Sequence, residues 1–149
     1  MRKKVLIIAN PCSGKCKSKK VIGFITKEFA LAGYITTVCF TECMGDAERL
    51  ARENANGQDL VVCIGGDGTL NEVLNGITDF DRVRLGVIPT GSGNDFGRNL
   101  KLPKSSKESL KQICASIRKD QRGEELYRID LIYDAFFPPS FFHCKNLLK

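Results

Sequence analysis

The sequence predicts a doubly wound α/β domain with a mostly parallel sheet, on three observations. Short apolar runs alternate with helical patterns along residues 1–133. Two of those runs, Val5–Ala9 and Leu60–Ile64, contain no polar residue, as strands buried on both faces require. Four of the runs lead directly into loops of glycine and small polar residues.

The elements follow in order. Val5–Ala9 is the first strand, and Asn10–Lys17 is a turn-rich loop. Ser18–Leu31 reads as a helix, with Val21, Ile22, Ile25, Phe29 and Ala30 on one face and Gly33 as its stop. Ile35–Phe40 is the second strand. Asp46 is expected to cap a helix that turns Ala47, Leu50, Ala51 and Ala55 inward and ends at Asn56-Gly57. The third strand and its glycine turn precede a short helix over Leu70–Ile77. Arg84–Ile88 is the fourth strand, followed by the loop Pro89–Asp95 and one helical turn over Phe96–Leu100. Ser105 with Glu108 forms a capping box for a helix to about Arg118. Leu126–Tyr133 alternates loosely, as a last strand would. Beyond Asp134 four Phe surround two Pro with no helical or strand period, so residues 134–149 read as a divergent tail.

With 149 residues, one domain with a proper core is expected. No apolar run approaches the ~20 residues of a membrane span. The opening apolar run, Val5–Ala9, falls short of the ~7–15 residues of a signal-peptide core. A cytoplasmic protein is therefore expected. The cysteines number seven, an odd count, and Cys39, Cys63 and Cys114 sit inside apolar runs as small hydrophobes. Cys12/Cys16 and Cys39/Cys43 share a C-x3-C spacing but fall in different loops, a poor pattern for zinc. Of the net charge of +6, residues 1–27 carry eight Lys/Arg and no acid, leaving the remainder at −2. Arg2–Lys4 read as a solvated end. Lys15–Lys20, beside a glycine loop, suit an anionic ligand or an anionic membrane surface. No aromatic residue interleaves with them, which argues against single-stranded nucleic acid.

Chemistry concentrates in four loops: Asn10–Gly14 (NPCSG), Thr41–Asp46 (TECMGD), Gly65–Thr69 (GGDGT) and Pro89–Asp95 (PTGSGND). Parallel strands would bring all four to one edge, where open α/β sheets bind ligands. Glycines without a Cβ let backbone approach a ligand closely, and the opening N–H groups of a helix favour phosphate. Asp67 and Thr69 add a Mg²⁺-directed carboxylate and a hydroxyl. Ser13, Thr41, Ser92, Asn10, Asn94, Lys15, Glu72 and Asp95 complete the equipment of a nucleotide-phosphate site. The plainer reading makes GGDGT a tight strand-to-helix turn in which Asp67 only caps the helix. Other chemistries fail on inspection. A Walker loop requires G-x-x-x-x-G-K-[ST], whereas Gly14-Lys15 is followed by Cys16 and Ala9 stands at the first glycine position. The first strand leads into NPCSG rather than a dinucleotide G-x-G-x-x-G. His143 is the sole histidine, so Ser-His-Asp hydrolysis has little to draw on.

Asn10-Pro11-x-Ser13-Gly14, Gly45-Asp46-Ala47, Gly65-Gly66-Asp67-Gly68-Thr69-Leu70-Asn71-Glu72-Val73 and Pro89-x-Gly91-Ser92-Gly93-Asn94-Asp95-Phe96-Gly97-Arg98 together resemble the catalytic domain of the diacylglycerol kinase family, which includes bacterial lipid kinases and sphingoid-base kinases. GGDGT is shared with NAD kinases and phosphofructokinases, and the PxGSGNDFGR stretch points to the lipid kinases. The resemblance implies a Rossmann-like nucleotide-binding domain and ATP-dependent transfer of the γ-phosphate to a lipid hydroxyl, such as that of diacylglycerol. It implies that Asn10, Pro11, Cys12, Ser13, Gly14, Thr41, Gly66, Asp67, Gly68, Thr69, Leu70, Asn71, Glu72 and Ser92 hold ATP, with Asp67 beside Mg²⁺. The basic Lys15–Lys20 segment further suggests peripheral contact with an anionic membrane at the inner face. Members of the family continue into a β-rich domain carrying the catalytic carboxylate. The chain is therefore expected to be a truncation or frameshift product, with Asp67 as its only candidate catalytic group. Two alternatives stay open: a nucleotide-binding remnant without turnover, and a phosphate-binding module unrelated to kinases.

Overall fold

The structure is a computed structural model that describes residues 2–14, 17–91, 93, 95, 98, 103, 105–121, 131–132 and 143–144. The chain divides into two compact units, residues 1–114 and 115–149. The first unit carries a four-stranded sheet in which every neighbouring pair is parallel. Its strands are β1 (Lys4–Ala9), β2 (Ile35–Phe40), β3 (Leu60–Gly65) and β4 (Arg84–Pro89), in the spatial order β2-β1-β3-β4. The helices are α1 (Lys17–Leu31), α2 (Asp46–Asn54), α3 (Asp67–Gly76) and α4 (Ser106–Gln121), the last extending past the unit boundary. In the second unit β5 (Leu131–Ile132) pairs antiparallel with β6 (His143–Cys144).

The unbroken apolar runs occupy the centre. Val5 to Ala9 of β1 and Leu60 to Ile64 of β3 are buried throughout. Burying a Val, Leu or Ile side chain contributes roughly 1.5–3 kcal/mol, so these ten residues anchor the sheet. Among the described residues β2 pairs with β1 alone, and it is half exposed along its length. Helix α1 buries Ile22, Ile25 and Phe29, the last against Tyr34 with ring centroids 5.6 Å apart. Ala30, expected on that face, is exposed: it lies one position past Phe29, where the helix turns to solvent. Ala47, Ala51 and Ala55 are buried as expected, whereas Leu50 is half-buried at the margin of the stripe. Helices α2 and α3 pack at close range, with Gly76 against the Glu48 carbonyl and Ala51. On β4, Gly86 leaves room for Ile113 of α4, whose Cδ1 would stand 3.2 Å from a Cβ there.

The chain leaves β1 for β2 on one side and returns to β3 on the other, so the strand order reverses between β1 and β3. Beyond the carboxyl ends of strands at such a reversal a crevice opens, because the two connections diverge. Several boundaries differ from expectation by one to three residues, among them three helix ends. Helix α3 starts at Asp67 rather than Leu70, because Gly65 and Gly66 alone complete the turn. Gly45, at φ +86°, is the N-cap of α2, and Asp46 is its first helical residue. Helix α4 runs to Gln121, three residues beyond the expected end. Ser92, Asn94 and Lys15, most of the Phe96–Leu100 turn and of the Leu126–Tyr133 strand, and the tail apart from His143–Cys144 lie outside the described residues.

Candidate functional site

Parallel register fixes where the loops begin. Ala9 is level with Phe40 and Ile64, and Gly65 with Pro89, so all four strands of the sheet end at the same rim. Backbone bonds then carry the pairing past the strands. The Asn10 amide donates to the Ile64 carbonyl at 2.9 Å, Thr41 N–H to Ala9 at 3.0 Å, and Thr90 N–H to Gly65 at 2.9 Å.

Asn10 stands at the strand reversal and ties three pieces together. Its Oδ1 accepts the Cys12 N–H at 2.9 Å, which curls the NPCSG loop. Its Nδ2 donates to Thr69 Oγ1 at 3.3 Å, joining that loop to the first turn of α3. Gly14, at φ +64°, lies against Thr90, whose carbonyl a Cβ would overlap, and the hydroxyls of Ser13 and Thr90 are hydrogen-bonded. Gly66 runs past Gly91, with 3.4 Å between the position of a Cβ and Gly91 Cα. Gly68 is different: a Cβ there would meet nothing within 4 Å. The first, third and fourth loops are thus held by direct contacts with one another, and Gly68 faces open space.

These walls enclose a crevice of about 430 Å³. Asn10, Cys12 and Ser13 line it from the first loop and Thr41–Met44 from the second. Gly66, Gly68, Thr69 and Glu72 line it from α3 and its approach. The volume falls within the roughly 300–1,000 Å³ of small-molecule sites. Pro11, Gly14, Asp67, Leu70 and Asn71 flank the crevice in sequence but are not among its walls. Leu70 is in the core, 3% exposed, and its N–H goes to the Gly66 carbonyl. Asp67 is half-buried at the start of α3, and its Oδ2 accepts the Asp95 N–H at 2.8 Å. Arg98 closes that fourth loop with bonds to Asp95 Oδ1 at 2.6 Å and the Gly93 carbonyl at 2.5 Å. Ser92 lies outside the described residues.

Electrostatics separate the two helix starts at the rim. At α2 the protein's own carboxylates occupy the positive end. Asp46 Oδ2 accepts the Glu42 N–H at 2.8 Å and the Cys43 N–H at 3.3 Å, and its Oδ1 pairs with Arg49 at 2.9 Å. The Glu42 amide first, then Arg49, holds the Asp46 carboxyl below its ordinary value of 3.8. Glu72 Oε2 accepts the Ala47 N–H at 3.1 Å. Burial pushes the Cys63 thiol up to about 12, helped by the charge of Glu72. Cys63 is therefore an inert core residue, while Cys12 and Cys43 are exposed on the crevice walls. Among the described residues no three His, Cys, Asp or Glu side chains cluster as a metal site of their own.

Sequence reasoning did not single out Thr90 or Met44, and it weighed Cys43 only for its C-x3-C spacing. Thr90 partners Ser13 across 77 residues, and nothing local in the chain signals that pairing.

A parallel α/β sheet with phosphate-type loops converging on its strand reversal defines a class of small-ligand domains. The profile of the family described as "Diacylglycerol kinase catalytic domain" matches residues 4–122, and the chain belongs to that family. It is 46% identical over 104 residues to a diacylglycerol kinase of Bacillus subtilis (strain 168), a match covering 68% of this chain and 34% of that protein. It is 49% identical over 105 residues to a diacylglycerol kinase of Staphylococcus epidermidis (strain ATCC 12228 / FDA PCI 1200), covering 69% and 33%. A solved diacylglycerol kinase from Bacillus anthracis str. Sterne superposes with a TM-score of 0.67 at 34% identity, over 76% of this chain and 40% of that one. The match thus spans about one third of the length of these curated relatives.

Proposed function

We propose that the chain is the nucleotide-binding part of an ATP-dependent lipid kinase, which moves the γ-phosphate of ATP to a lipid hydroxyl such as that of diacylglycerol. The observation that carries this reading is the crevice at the β1/β3 reversal, walled by three loops and buttressed by a fourth. The residues present suit Mg²⁺-ATP. The α3 N-terminus offers backbone N–H groups and the positive end of its dipole. Gly68, without a Cβ, lets a ligand approach those groups, and the walls supply the hydroxyls of Ser13, Thr41 and Thr69. Asp67, at the head of the same helix, is the carboxylate we assign to Mg²⁺. Bound Mg²⁺ would neutralise phosphate charge, and in phosphoryl transfer such neutralisation and positioning supply most of the rate. Asn10 and Thr69 hold the phosphate loops in register, and Glu42, Cys43 and Met44 form the opposite wall.

Titration calorimetry of the 149-residue chain with Mg²⁺-ATP tests the reading. Wild type should bind, and Asp67→Asn should bind at least about tenfold more weakly with an unchanged melting temperature. The substitution keeps an oxygen for the Asp95 N–H, so the fold is spared. Equal affinity for both chains would remove the metal role of Asp67. No binding by wild type would remove the nucleotide site.

A further inference from the structure

Glu72 presents an electrostatic problem for the reading just given. It lines the crevice, and a carboxylate facing bound phosphates repels them. Its Oε2, however, is engaged by the backbone N–H of Ala47, in the first turn of α2. A helix N-terminus carries partial positive charge, so this bond offsets the carboxylate's charge locally. The same helix start receives Asp46, whose Oδ2 takes the amides of Glu42 and Cys43. One N–H at the start of α2 is thus taken by a side chain, whereas among the described residues the N-cap of α3, Gly66, offers none.

We infer that Glu72 is a positioning residue: through Ala47 it fixes the start of α2, and so holds the Thr41–Gly45 loop as the far wall of the crevice. The inference rests on the nucleotide reading for what the crevice holds. Three features support the mechanical role. Glu72 and Ala47 are 25 residues apart, so their bond ties α3 to α2 at the rim. At the other end of the pair, Gly76 sits against the Glu48 carbonyl and Ala51, so the helices are pinned together twice. The loop itself carries Thr41, buried at the end of β2, and Met44, 93% exposed at the crevice mouth. Without the Glu72 bond, the loop keeps Asp46 as its internal tie but loses the bond that joins α2 to the phosphate-side helix at the rim.

The role separates cleanly from direct ligation of metal or nucleotide. Glutamine keeps an oxygen that accepts the Ala47 N–H and removes the charge; alanine removes both. Backbone amide exchange over residues 41–47 of the nucleotide-free chain should rise in Glu72→Ala and stay near wild type in Glu72→Gln. Affinity for Mg²⁺-ATP should fall about tenfold in Glu72→Ala, the loss of one hydrogen bond to a charged group, and stay within about threefold of wild type in Glu72→Gln. Equal loss of affinity in both variants would make Glu72 a charge ligand and overturn the inference. Unchanged exchange in Glu72→Ala would overturn it as well. Failure of wild type to bind Mg²⁺-ATP would remove the nucleotide reading alone, because the exchange comparison decides the positioning role without nucleotide.

Discussion

Cys12, Cys43 and Cys63 show how placement divides one residue type. Cys12 and Cys43 are exposed on opposite walls of the crevice, and Cys63 is wholly buried in β3. Only a thiolate reacts readily, and burial raises the Cys63 thiol to about 12. An alkylating reagent at neutral pH should therefore label Cys12 and Cys43 and leave Cys63 intact, as peptide mass mapping would show. Mg²⁺-ATP should slow labelling of Cys12, whose loop borders the α3 helix start. Labelling of Cys63 at a comparable rate would mean that β3 opens to solvent. Asp46 makes a prediction of the same scale. Its folded pKa is depressed, so the stabilisation it gives the Thr41–Gly45 loop is complete above 3.8 and fades as pH falls through the lower folded value. Amide resonances of Glu42 and Cys43 should hold steady at neutral pH and move only below that range. A transition near neutrality would assign the loop's order to another group.

At the scale of elements, two glycines of α3 have opposite reasons for lacking a side chain. Gly76 faces α2, where a methyl group would overlap the Glu48 carbonyl and lie 2.6 Å from Ala51 Cβ. Gly76→Ala should destabilise the domain by about 1–3 kcal/mol, the cost of overpacking a tight contact, as denaturant unfolding would measure. An unchanged midpoint would mean that the two helices are free to separate. The strands were legible from sequence because a run such as Leu60–Ile64 has no polar side to place in water. Helix starts were less so. Asp67, Gly68 and Thr69 look like loop, since glycine and aspartate are poor helix formers, yet the tight turn at Gly65-Gly66 lets α3 begin at once. Asp46 looks like a cap, yet Gly45 takes the cap position and frees Asp46 to reach back into its own loop. The bonds from Glu72 to Ala47 and from Ser13 to Thr90 leave no local pattern at all, because they are made only when the sheet has assembled.

For the whole molecule, the loops' convergence was readable in advance, since four loops after four parallel strands must share a rim. Their division of labour was not. The first, third and fourth loops are locked by Asn10–Thr69, Ser13–Thr90 and the Gly66–Gly91 approach, while the second is held through α2. Charge is also divided, with eight Lys/Arg and no acid in residues 1–27. If Lys15–Lys20 dock on an anionic membrane, binding to phosphatidylglycerol vesicles should weaken steeply as salt rises. Salt-independent binding would argue against electrostatic docking. The proposed nucleotide site depends on backbone at the start of α3 receiving phosphate. Gly68 is the position to test, because the fold gives it no contact to lose, and a helical glycine replaced by alanine gains up to about 0.5–1 kcal/mol. Titration of Gly68→Ala with Mg²⁺-ATP, beside its melting curve, should show an equal or higher melting temperature with markedly weaker binding. A variant that melts as predicted and binds Mg²⁺-ATP as tightly as wild type would contradict the account.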